Sequence, residues 1–192
     1  MGKKKSSFFN MFLTLLVVTL VASAALGFVY EFTKAPIQKA RMEKKKQAIA
    51  AVLPDFDNQP LEELRKVPMP NGEDSLEFYL VKKGVKLLGI AIKTSSNKGY
   101  SGEIQLMVGF KADGKINNIS VLSHKETPGL GSKMGEEKFK NQFIDQNPET
   151  YNMKVIKDGG EVDAISGATI SSRAFCEAVQ IAYDAFQQEQ KN

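Results

Sequence analysis

The chain has 192 residues, a formal net charge of +4, one cysteine and one histidine. A lone Cys176 excludes an intrachain disulfide and any thiolate metal or iron–sulfur site built from this chain alone, and a lone His124 cannot form a metal site by itself. The excess of basic residues comes largely from one stretch, Lys34, Lys39, Arg41, Lys44, Lys45 and Lys46, which suits membrane lipid headgroups and argues against nucleic acid as a partner.

From the N-terminus, Lys3, Lys4 and Lys5 precede an apolar run from Phe8 to Tyr30 that holds no charged side chain. As a helix rising about 1.5 Å per residue, the run is long enough to cross a hydrocarbon core of about 30 Å. Its hydroxyls, Thr14, Thr19 and Ser23, are expected to bond back to their own helix. The lysines and Ala22-Ser23-Ala24 also fit a cleaved signal peptide, but the run continues to Tyr30, past an h-region of about 7–15 residues, which favours a retained anchor. Basic residues are more numerous after the span than before it, which taken literally puts the large domain in the cytoplasm. That rule weakens for long translocated domains, so charge counting leaves orientation open.

Glu31 to Leu53 reads as a helical stalk, interrupted at Pro36 and ended by Pro54-Asp55. The residues after the span, about 160 in number, suffice for one domain with its own core. Asp57 to Asp74 is rich in Pro, Asn, Gly and Glu and reads as a loop with one helical turn near Leu61 to Leu64. Strands are expected over Glu77–Lys82, Lys86–Thr94, Glu103–Lys111 and Lys115–Ser123, punctuated by Gly84 and by Ala112-Asp113-Gly114. In the third, Ile104, Leu106, Val108 and Phe110 alternate with Glu103, Gln105, Met107 and Gly109, which predicts one face more deeply buried than the other. Short turns imply an antiparallel sheet. A short helix is expected over Gly135–Ile144, a further strand over Tyr151–Ile156 before Gly159-Gly160, and an amphipathic helix over Ser171–Gln190 with Phe175, Val179, Ala182 and Phe186 on its core face. The fold class is α+β: one N-terminal transmembrane helix, then a single domain with a twisted antiparallel sheet and packed helices. The expected divisions are 1–7 ahead of the span, 8–30 the transmembrane helix, 31–54 the stalk and 55–192 the domain.

The residues richest in chemistry are Asp163-Ala164-Ile165-Ser166-Gly167-Ala168-Thr169-Ile170-Ser171-Ser172, directly before the last helix. Small residues leave the backbone accessible, Ser166, Thr169, Ser171 and Ser172 offer hydroxyls to phosphate oxygens, and the first amides of a helix favour an anion. By composition alone the same string is also an ordinary serine-rich helix cap. Upstream stands His124-Lys125-Glu126-Thr127-Pro128-Gly129-Leu130-Gly131, where Pro128 and two glycines permit a rigid turn whose backbone can approach a flat ring and Leu130 offers an apolar contact.

These two strings resemble the FMN-binding domain shared by RnfG and NqrC. That family carries an S-G-A-[ST]-x-[ST] motif with an Asp three residues before the Ser, and an H-x-E-T-P-G-L-G segment upstream; Asp163 and both strings match. The resemblance implies a covalent FMN, its phosphate esterified to Thr169, with Ser166, Gly167, Ala168, Ser171 and Ser172 around it and Asp163 presenting the acceptor to the flavin transferase ApbE. It implies that Glu126, Thr127, Pro128, Gly129, Leu130 and Gly131 cover the isoalloxazine ring, Glu126 and Thr127 bonding its polar edge or ribityl chain. Tyr100, in a G-Y-x-G segment, is implied to approach it too. His124 reads as a surface residue and Cys176 as a packed helix residue. The shortness of the chain and its H-K-E-T-P-G-L-G loop favour RnfG over NqrC. The implied role is an electron relay among RnfA, RnfB, RnfC, RnfD and RnfE, coupling electron flow between ferredoxin and NAD to Na⁺ or H⁺ movement, with the large domain outside the cytoplasmic membrane and 1–7 on the cytoplasmic side. The alternatives are an NqrC-like component of a Na⁺-translocating quinone reductase, an independent extracytoplasmic flavin protein, and a non-redox binding module.

Overall fold

The computed structural model describes residues 8–68 and 75–191. Residues 1–7, with the expected cytoplasmic side and its lysines, and residues 69–74 of the expected loop lie outside them.

Helix α1 runs from Phe8 to Val52 without a break. Its N-terminal part is apolar and exposed all round, with a mean hydropathy of 2.5 in its most apolar window, which fits a membrane span by length and composition. The hydroxyls bond back as expected: Thr14 to Asn10 O at 2.7 Å, Thr19 to Leu15 O at 2.9 Å and Ser23 to Thr19 O at 2.7 Å. The expected interruption at Pro36 does not occur. A proline removes one backbone donor and crowds one carbonyl, a local cost that the turns on either side absorb here.

The chain divides into two compact units, residues 1–43 and 44–192, so the last turns of α1 belong to the domain and not to a separate stalk. The domain is a five-stranded antiparallel meander: β1 (Leu64–Pro68), β2 (Ser75–Lys83), β3 (Lys86–Gly99), β4 (Gly102–Lys111) and β5 (Ile116–Ser123), in that spatial order. A 3₁₀ turn at Gly131–Gly135, the one-turn helix α2 (Glu137–Lys140), a 3₁₀ turn at Ile156–Asp158 and the long helix α3 (Thr169–Lys191) complete it.

One sheet face packs on α3. Ile104, Leu106, Val108 and Phe110 meet Phe175, Val179, Ala182 and Phe186, and the Phe110 and Phe186 rings stack with centroids 5.0 Å apart. Phe139 and Phe143 each approach Phe175 at 5.1 Å, which ties α2 and the turn after it to this core. Full burial of each such side chain contributes about 1.5–3 kcal/mol.

The expectation of one deeper face on β4 holds, with Ile104, Leu106, Val108 and Phe110 all buried, Glu103 exposed and Gln105 half-buried, but the opposite face is covered too where Met107 and Gly109 meet the end of α1. Ala48, Ile49, Val52 and Leu53 cover Tyr79, Val81, Ala91 and Met107. The approach is close: a Cβ on Gly109 would stand 2.6 Å from the Val52 carbonyl oxygen. The Asn117 and Asn118 amides cap this helix end, donating to Val52 O at 2.6 Å and Ala51 O at 3.0 Å. Glu77 accepts from Lys45 at 2.6 Å, from Lys93 at 3.2 Å and from the Tyr79 hydroxyl. Burial pushes the Glu77 carboxyl up, and these three donors more than offset it, holding it at about 2.

Three further expectations need correction. The turn expected near Leu61 to Leu64 lies at Gln59–Glu62, where Glu62 N–H bonds Gln59 O at 3.0 Å, and Leu64 already begins strand β1, because Leu64–Pro68 pairs with β2 along one edge only, and an edge tolerates Arg65, Lys66 and Pro68. Tyr151–Ile156 forms no strand: Asn152 and Lys154 bond back to Glu161 and Val162, leaving one isolated bridge between Val155 and Val162. The helix expected over Gly135–Ile144 is reduced to four residues, preceded by the 3₁₀ turn.

Candidate functional site

The β3–β4 turn, the segment 126–131 and the start of α3 converge at one end of the sheet. Thr169 is the first residue of α3, half-buried, where the first-turn amides have no intrahelical acceptor. It stands on the helix, not in the loop before it. Gly167, in the left-handed region at φ +74°, turns the chain into that helix. A Cβ there would lie 3.4 Å from Leu130, so the 126–131 loop and the acceptor segment are neighbours in space.

The two serines downstream of Thr169 are turned inward. Ser172 donates to Ala168 O at 3.0 Å and accepts from Ile165 N–H at 2.9 Å, bracing the loop from within. Ser171 donates to Glu126 Oε2 at 2.6 Å. Their hydroxyl protons are thus engaged inside the fold, whereas Ser166 and Gly167 face solvent and Ala168 is buried.

Glu126 is also turned inward. The residue is 5% exposed; besides the Ser171 hydroxyl its carboxylate accepts the Ser101 backbone N–H at 2.9 Å. Thr127, Pro128, Gly129 and Leu130 form the exposed rim of the loop, and Gly131 is buried against Glu126. Leu130 N–H and Ser132 N–H both reach Thr127 O, at 3.2 and 3.3 Å, and Gly129 N–H reaches Ser132 Oγ at 2.9 Å, so the turn is held by its own bonds. Gly129 has φ +76°. His124, half-buried, accepts the Glu126 N–H on Nδ1 at 3.2 Å.

Tyr100 (71% exposed), Leu130 (44%) and Ile170 (46%) present large apolar surface at this end of the domain. Two grooves border the acceptor segment. One of about 740 Å³ is lined by Ile170, Arg173, Lys98 and Met153, among others, and one of about 560 Å³ by Ser166, Asp163, Gln142 and Lys133. Arg173 holds Asp158 through two bonds at 2.6 and 2.7 Å. Cys176, at the floor of the first groove, is buried, and burial pushes its thiol up to about 12, the state of a packed and unreactive side chain.

The sequence missed Gln142. Its side-chain amide accepts Asp163 N–H at 2.7 Å and donates to Asp163 O at 3.2 Å, fixing the backbone where the acceptor segment begins, while the Asp163 side chain stays exposed. A lone glutamine among turn residues carries no pattern that would reveal this.

Relatives match the chain along most of their length. The FMN-binding domain family matches residues 99–184, from the β3–β4 turn into α3. The G subunit of the Na⁺-translocating ferredoxin:NAD⁺ oxidoreductase complex of Acetobacterium woodii is 32% identical over 190 residues, covering 93% of this chain and 91% of that protein. The chain belongs to the G-subunit family of ion-translocating oxidoreductase complexes. A second member, the G subunit of the ion-translocating oxidoreductase complex of Methanosarcina acetivorans, is 35% identical over 178 residues, 89% of this chain and 90% of its own. The fold also matches a solved structure, the C subunit of the Na⁺-translocating NADH-quinone reductase from Parabacteroides distasonis, with a TM-score of 0.55 at 17% identity, covering 81% of this chain and 94% of that one. Membership of the G-subunit family and the fold shared with the quinone reductase component agree with both halves of the resemblance read from the sequence.

Proposed function

We propose that this chain is the FMN-carrying electron-transfer component of an Rnf complex, anchored by α1 and loaded by a phosphoester between FMN and the Thr169 hydroxyl. The observation that carries the reading is the position of Thr169: a half-buried threonine at the first position of a long helix, next to Gly167, which approaches Leu130, within the stretch matched by the FMN-binding family. The residues present fit the group. Unpaired amides and the positive end of α3 suit a phosphate, and exposed Tyr100 and Leu130 suit a flat apolar ring.

When bound, flavin supplies the electron-accepting chemistry. The chain's part is to hold it. Gln142 and Ser172 brace the acceptor segment, the Thr127–Ser132 turn presents Leu130, and the inward serines leave Thr169 and Ser166 as the hydroxyls free to face the phosphate. Attachment by ApbE, partnership with RnfA, RnfB, RnfC, RnfD and RnfE, coupling of electron flow between ferredoxin and NAD to Na⁺ or H⁺ movement, and placement of the domain outside the cytoplasmic membrane on a single span belong to the same reading. Supporting it is identity of 32–35% to the two G subunits over some nine-tenths of the chain.

The test is in-gel flavin fluorescence of denatured protein co-expressed with the transferase. The wild type is expected to fluoresce and Thr169→Ala to be dark while folding normally; a fluorescent Thr169→Ala band overturns the assignment. A reporter fused at Asn192 tests the orientation, with activity expected only for the export-dependent form.

A further inference from the structure

We propose that Glu126 is the positioning residue of this site and the fixed negative charge that sets the cofactor's potential, acting from beneath the site rather than by touching the ring. The proposal rests on the reading that Thr169 carries the flavin.

Glu126 joins three segments distant in sequence. Oε1 accepts the Ser101 N–H of the β3–β4 turn at 2.9 Å, and Oε2 accepts the hydroxyl of Ser171, third residue of α3, at 2.6 Å. Space around it is reserved: a Cβ on Gly99 would lie 2.7 Å from Oε1, and one on Gly131 would lie 2.7 Å from Oε2. One carboxylate thereby fixes the turn bearing Tyr100, the loop bearing Leu130 and the helix start bearing Thr169.

Its charge is not needed for that latch. A glutamine in the same place could accept from Ser101 with its carbonyl and donate to Ser171 Oγ with its amide. Burying a carboxylate is costly without a cation, and among the described residues Glu126 makes no ion pair. Only neutral donors and the positive end of α3 offset it. What the charge adds is a field. A buried negative charge bonded two residues beyond Thr169 opposes the arrival of an electron on a group attached there, and salt screens it little.

Glu126→Gln separates latch from charge. Expected is covalent flavin at the wild-type level, with a midpoint potential shifted upward by an amount that persists in high salt. Ser171→Ala removes one latch bond and keeps the charge, so its potential is expected not to rise. Glu126→Leu removes both, and flavin attachment is expected to fall several-fold, with restoration by Gln. Flavin attached to Glu126→Gln at an unchanged potential overturns the charge, and attachment to Glu126→Leu at the wild-type rate overturns the latch. A wild-type chain without flavin overturns the reading and this inference with it.

Discussion

Two glutamates, one on each side of the domain, show how differently the same side chain is used. Glu77, where the end of α1 meets the sheet, is ringed by Lys45, Lys93 and the Tyr79 hydroxyl. Glu126, at the acceptor end, is more deeply buried, and among the described residues its carboxylate bonds a backbone N–H and a serine hydroxyl alone. Glu77 clamps the end of α1 to the sheet through charged partners, whereas Glu126 joins three segments through neutral donors. The comparison predicts a division of the domain: changes at the α1 face should cost stability, and changes at the acceptor end should alter the flavin.

The division breaks if disturbing the α1 face alters the cofactor, or if disturbing the acceptor end unfolds the domain. The largest expected effect is that of Gly109→Val. Its Cβ would meet the Val52 backbone at 2.6 Å, a neighbour that cannot swing aside, so we expect a loss of about 3 kcal/mol in chemical denaturation. Flavin attachment to the folded fraction should be unaffected. Glu77→Ala leaves Lys45 and Lys93 without their acceptor and should cost about 2 kcal/mol.

The Glu77 contribution also depends on pH. The folded carboxyl lies at about 2, below the unfolded value of about 4.3, so its stabilisation is present above the unfolded value and is lost as pH falls from there toward 2. Acid titration of wild type and Glu77→Gln should therefore converge toward pH 2; curves that stay parallel from pH 6 to 2 would deny Glu77 this role.

At the acceptor end, Gly129→Val finds open space but an unfavourable backbone, since φ is +76°. Strain of about 1–3 kcal/mol should fall on the loop, shifting the flavin absorption spectrum while leaving the ester at Thr169. An unchanged spectrum and potential would reduce 126–131 to a connector. His124→Ala removes one acceptor at 3.2 Å from a half-buried position, so the potential should move least, and stability by at most about 1 kcal/mol. A larger shift than that of Glu126→Gln would reverse the ranking of these residues.

Strands β2 to β5 were legible because alternation and glycine turns are local signals. The edge strand β1 was not, since Arg65, Lys66 and Pro68 look like loop residues until β2 lies beside them. The acceptor motif was legible as a string, but the roles within it were not. Ser171 and Ser172 resemble phosphate donors in sequence, yet their partners, Glu126 and Ile165, lie 45 and 7 residues away. Glu126 similarly reads as a flavin contact, and only packing of the β3–β4 turn over it turns it inward.

The last turns of α1 set where the domain can be cut. A soluble version beginning at residue 55, the natural choice if the helix is taken for a tether, would discard Ala48, Ile49, Val52 and Leu53 and bare the apolar face formed by Tyr79, Ala91 and Met107. It would also leave the amides of Asn117 and Asn118 without the carbonyls they cap. A cut that removes the apolar run and begins at Lys44 keeps that lid.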